Sequence, residues 1–113
     1  MTGTSAPPWQ HKRTHETCQV EQVLLKAGFE KVDAYRYNSA SIRVRVIDSR
    51  FEGRSLEERD RMVEPHLDSL PERTQADIMN LFTFAPSELQ RTAQTSRESL
   101  LNTEFEHPSP SML

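Results

Sequence analysis

Ile42, Val44 and Val46 alternate with Arg43 and Arg45. A period of two sends alternate side chains to opposite faces of a strand, so aliphatics line one face and arginines the other. The pattern predicts a strand over about Ser41 to Asp48, with helices on its aliphatic face and water on its arginine face. Upstream, the run from about Lys31 to Tyr37 predicts a partner strand, and Asn38-Ser39-Ala40 a hairpin turn in which Asn38 tolerates left-handed angles. Val32 and Ala34 share one face of that strand, and Tyr35 and Tyr37 the other. Before it, Val20, Val23, Leu24 and Ala27 fall on one side of a helix from about Glu16 to Ala27, which Gly28 ends.

Downstream of Asp48 the period changes. The chain turns at Phe51-Glu52-Gly53, where Phe51 reads as anchoring the turn into the core beneath the helix and Gly53 accepts backbone angles closed to other residues. Ser55 and Glu58 form the sequence signature of a capping box. A helix from about Leu56 to Glu64 follows, with Glu57, Glu58, Asp60 and Arg61 on a solvated face of i,i+4 pairs. Pro65 restarts a short helix to Leu70, which Pro71 ends. Between Asp77 and Phe84 the alternation is poor. A third strand is the first reading there, and a continuous helix from Glu72 to Phe84 the competing one. Pro86 opens a last helix that fades near Ala93. Leu100, Leu101 and Phe105 could form a short amphipathic segment in an otherwise polar end.

The order helix, strand, strand, helix, helix, strand, helix predicts a single small α+β domain. Its three-stranded sheet is covered by helices on one face. Residues 1–14 read as a disordered arm, 15–93 as the folded domain and 94–113 as a flexible tail. Trp9 is the one large apolar residue in that arm, an exposed or loosely tucked aromatic in one reading and a partner-binding anchor in the other.

Composition narrows the function. The chain has 113 residues, 35% hydrophobic, with a net charge of −3. One marginally stable domain fits that length, and the charge gives no global case for nucleic acid. Cys18 is the only cysteine, so no internal disulfide framework exists. It reads as a small inert residue near a helix start, with a reactive thiol as the alternative. Neither a secretory leader nor a membrane span is apparent, and a cytoplasmic location is the expectation.

The chemistry of an enzyme is sparse. His11, His15, His66 and His107 are scattered, and neither a zinc-binding spacing nor a phosphate-binding loop occurs. The expectation is a non-enzyme.

The stretch Val46-Ile47-Asp48-Ser49-Arg50-Phe51-Glu52-Gly53, followed by Glu58-Arg59-Asp60-Arg61-Met62-Val63, resembles the BolA family. That family carries a Phe-x-Gly turn and then a helix with Arg-His-Arg before an aliphatic pair. The likeness extends to Leu81-Phe82-Thr83-Phe84-Ala85-Pro86-Ser87-Glu88-Leu89, and covers roughly Thr17 to Leu89. It implies a class II KH-like fold and a partner-binding surface at Arg50, Phe51, Gly53, Arg54, Arg59 and Arg61. It further implies an adaptor role with a monothiol glutaredoxin or another iron–sulfur handling protein, the pair sharing a 2Fe–2S cluster through BolA histidines. The matching positions here hold Asp60 and Asp77, which are harder ligands than imidazole. No cofactor of the chain's own is expected, and His66 is the one candidate substitute ligand. Two other readings stand beside the adaptor. One is a nucleic-acid-binding regulator using Arg43 and Arg45 on the open sheet face, where cross-strand charge pairing is the plainer reading of the same two residues. The other is a BolA-like domain repurposed for an unknown role.

Overall fold

The computed structural model describes residues 7–90 and 96–111. Helix α1 (His15–Lys26) leads into strands β1 (Lys31–Asn38) and β2 (Ser41–Ile47). Helix α2 (Leu56–Val63) and a 3-10 turn at Glu64–Leu67 follow, then helix α3 (Glu72–Asp77) and strand β3 (Ile78–Phe84). Two helices close the described chain, α4 (Pro86–Leu89) and α5 (Arg97–Glu106). The sheet order is β1-β2-β3, with β1 antiparallel and β3 parallel to the central β2.

Local signals explain most boundaries. Thr14 caps α1 through a reciprocal pair with Thr17, and Gly28 takes a φ of 99° just beyond its end. Only glycine enters that region cheaply. The hairpin is tied by the Asn38 side chain, which accepts from the Ala40 N–H at 2.8 Å. Asn38 does not take the left-handed angle expected of it, since no described residue except glycine has a positive φ. The Asx hydrogen bond makes the turn without it.

The main core lies on the aliphatic face of the sheet. Val32, Ala34, Ile42, Val44 and Val46 meet Val20 and Leu24 of α1 and Val63 of α2, all buried. The poor alternation of the third strand has a local cause. Ile42 pairs with Ile78 but Arg43 with Asn80, so the register slips by one at Met79. The irregularity lets Ile78 and Leu81, three apart, pack against the same core. The expected third strand is present as Ile78–Phe84, and the competing helix extends only over Glu72–Asp77 before it.

The arginine face departs from expectation. It is covered, not wet, by the very segments expected to be loose. Pro8–Lys12 forms a 3-10 turn with Trp9 3% exposed, and α5 brings Phe105 to 0%. Trp9, Phe105 and Tyr35 make a second apolar cluster, with Tyr37 and Phe82 at its margin. The Tyr35 hydroxyl donates to the Phe105 carbonyl at 2.9 Å. Two aromatic anchors therefore order segments whose average composition reads as disorder. The rest of the expected arm and tail, 1–6 and 112–113, and the segment 91–95 where the last helix was expected to fade, lie outside the described residues.

Candidate partner-binding site

The turn after β2 is built on Asp48, which is fully buried. Its carboxylate accepts from the backbone N–H of Glu30 at 3.0 Å and of Arg50 at 2.8 Å. The Arg50 guanidinium closes on the same oxygens at 2.9 and 3.0 Å. Burial alone would raise this carboxyl, but the hydrogen bonds to Arg50 and the two amides outweigh it and hold the group below its ordinary range. The turn drives Phe51 into the core at 0% exposure, and Gly53 takes a φ of 71°. Ser55 and Glu58 then form the expected capping box, with bonds of 3.1 and 2.8 Å.

Arg59 fastens this region together. Its Nε donates to the Arg54 carbonyl at 3.0 Å and its Nη1 to the Thr83 carbonyl at 3.0 Å. Both terminal nitrogens reach Glu88, at 2.9 and 2.8 Å. The side chain is 4% exposed and lies 5.8 Å from the Phe51 ring. One guanidinium thus joins α2, the end of β3 and the start of α4.

The six residues expected to form a partner surface therefore separate. Phe51 and Arg59 are interior and structural, because the turn and the Glu88 pair draw them in. Arg50, Gly53, Arg54 and Arg61 remain exposed. Arg54 and Arg61 make the solvated i,i+4 pairs expected of this helix, at 3.8 Å to Glu58 and 3.5 Å to Glu57. Arg43 and Arg45, the expected nucleic-acid contacts, are buried beneath α5. Arg43 meets Glu104 at 2.9 Å and lies 3.8 Å from the Tyr37 ring centroid. Arg45 meets Asp33 at 2.6 Å and Glu106 at 2.7 Å. Both are buried and hold carboxylates of this chain, so they present no platform to a phosphate chain in this conformation.

Asp60 also leaves the solvated face assigned to it. It turns toward β3, an edge strand of the sheet, and lines a groove there of about 370 Å³. One wall carries Asp60, Glu64 and Asp68, and the other Ile78, Met79 and Leu81. A smaller hollow of about 190 Å³ continues along β3, sharing Asp60 and Leu81 and bounded by Leu56, Arg97 and Leu101. Burial and the neighbouring Glu64 charge push the Asp60 carboxyl above its ordinary range. Leu56 is 42% and Met79 64% exposed, two of the four exposed large hydrophobics among the described residues. The spacing 60, 64, 68 was a legible sign of one acidic helix face, but the sequence did not say that β3 would stand opposite.

Two solved structures share this architecture. The BolA domain of SufE1 from Arabidopsis thaliana superposes with a TM-score of 0.51 over 66% of this chain and 96% of that one, at 15% identity. The solution structure of BolA1 from Mus musculus gives 0.54 over 86% and 84%, at 20% identity. The fold is that of a BolA domain. No family model and no curated protein matches the sequence, so the BolA likeness rests on architecture and on the short motifs around Phe51 and Phe84.

The residues fit a BolA-type shared cluster poorly. Iron of a 2Fe–2S cluster takes thiolate or imidazole ligands. At the two BolA histidine positions this chain has carboxylates, and Asp77 is held by Arg36 at 2.8 Å. His66, the candidate substitute, is exposed and stands elsewhere. It packs edge-on to Phe29 at 5.7 Å, on the ring that Arg50 covers at 4.6 Å, and does not line the groove with Asp60. Among the described residues no three His, Cys, Asp or Glu side chains are placed to hold a metal ion. No helix among them is long and apolar enough to cross a membrane.

Proposed function

We propose that this chain is a non-catalytic, BolA-like adaptor that binds a protein partner through the groove between α2 and β3. A monothiol glutaredoxin, or another iron–sulfur handling protein, is the candidate that the BolA likeness suggests, in the cytoplasm. The observation that carries the reading is the exposure of Leu56 and Met79 along the groove and the hollow that continues it. Apolar surface at a concave site is what a protein interface covers. The exposed Arg50, Arg54 and Arg61 provide a polar rim around it. The carboxylates at positions 60 and 77 argue for association by surface alone, with no iron ligand from this chain.

The test is to mix the chain with a monothiol glutaredoxin, with and without iron, sulfide and glutathione. Light scattering after size exclusion gives the mass of any complex, and visible absorption reports a cluster. A heterodimer that forms equally well without the cluster supports the reading. A heterodimer seen only with a distinct cluster spectrum overturns the surface-only form. The absence of any complex removes glutaredoxin as the partner.

A further inference from the structure

We infer that the groove along β3 receives a short basic segment of its partner, with an apolar side chain seated on Met79 and Leu81 and flanking lysines or arginines against Asp60, Glu64 and Asp68. The inference rests on the adaptor reading and adds the chemistry of the segment that docks.

Charge complementarity is the first argument. Carboxylates elsewhere in the fold are largely paired: Glu21 with Arg13, Asp33 with Arg45, Asp77 with Arg36, Glu88 with Arg59. No ion pair or hydrogen bond reaches the carboxylates of Asp60, Glu64 or Asp68 among the described residues. Arg61 shares a shallow hollow with Glu64 and Asp68, but its guanidinium pairs with Glu57 at 3.5 Å. One wall of the groove thus carries three carboxylates without an ion pair. A cation brought there gains attraction without breaking an existing pair.

The second argument is shape and polarity. The wall opposite the carboxylates is apolar, with Met79 the most exposed large hydrophobic residue of the described chain. An apolar side chain fits there, and a wholly charged ligand does not. Docking as a fourth strand is disfavoured. The register slip at Met79 breaks the edge, and Arg59 already occupies the Thr83 carbonyl. Recognition therefore falls to side chains. Arg97 at the far end sets the direction, because it repels a cation and favours a carboxylate or the segment's acidic end.

The experiment uses the full chain and fluorescein-labelled nine-residue peptides. One alternates lysine with leucine around a central methionine, and its twin has glutamate for every lysine. Anisotropy at about 0.15 M salt should show the lysine peptide binding at least tenfold tighter. Glu64→Lys, an exposed change, should reduce that binding about tenfold or more, and Met79→Lys should also weaken it. Circular dichroism confirms that each variant is folded. Equal binding of the two peptides, no binding of either, or undiminished binding to Glu64→Lys overturns the inference. So does a dimer in sedimentation that Met79→Lys dissociates, since a second copy would then fill the groove. The two proposals fail separately. A glutaredoxin complex without peptide binding sinks only the basic segment, and peptide binding without a glutaredoxin complex sinks only that partner.

Discussion

The guanidinium of Arg45 lies 4.6 Å from the ring centroid of Phe105, across the face of the sheet that the sequence left open to water. The same ring packs edge-on to Tyr35 at 4.8 Å. Phe105 is the one buried residue of α5 and its apolar anchor on the sheet, beside the Glu104 and Glu106 ion pairs. Phe105→Ala should cost about 3–5 kcal/mol. Urea unfolding measures the loss, and amide exchange should show α5 losing protection while α1 and β2 keep theirs. Equal loss in all three would mean that the layer is not separable.

Arg59 gives the second prediction. If it were a surface contact for a partner, Arg59→Met would leave stability within about 0.5 kcal/mol of the parent. Its buried bonds to Thr83 and Glu88 predict instead a loss near 3 kcal/mol, at the low end for breaking a buried pair because Glu88 keeps some solvent. Arg61→Met, on the exposed face, should change almost nothing. Thermal unfolding of the two variants side by side decides it.

Asp48 predicts acid sensitivity. Its folded carboxyl sits below the ordinary range, so the unfolded chain takes up the proton first. The stability this adds is complete above the unfolded value of about 3.9 and is lost as pH falls through the folded value. Asp48→Asn should be less stable than the parent at neutral pH, and the gap should narrow in acid. A gap that stays constant between pH 7 and 3 would show that the charge plays no part.

Asp60 predicts the opposite sign. Its folded carboxyl is raised, so its contribution is present below about pH 3.9 and is lost as pH rises through the folded value. Asp60→Asn should therefore stabilise the free chain at pH 7, with the difference fading in acid. Urea midpoints across that range test it, and a variant less stable at pH 7 would refute the assignment of an uncompensated charge.

The strands, α1, the capping box at Ser55 and the glycine at position 53 were readable because each depends on neighbours in the sequence. Periodicity and capping are local rules. What escaped was non-local. Arg59 reads as a polar flank until Glu88, 29 residues later, folds back beside it. Arg43 and Arg45 read as wet because their counter-charges, Glu104 and Glu106, lie in a segment whose composition suggests a loose tail. The alternation at Met79 is broken by a register slip that only the pairing with β2 reveals. The stretch from Arg50 to Arg61 was legible as a turn and a capped helix, but which of its residues face outward, and that Glu64, Asp68 and Met79 would line a groove beside it, depended on packing that no short window contains.

Trp9 is the single tryptophan of the chain. It is seated on Tyr35 and Phe105, with the sheet between it and the main core. Its fluorescence therefore reads the seating of the outer layer, while far-UV dichroism reads the helices and sheet together. A two-state chain would show one midpoint by both probes. Here the emission should shift at lower denaturant than the dichroism, so the protein carries its own optical gauge of whether that layer is in place.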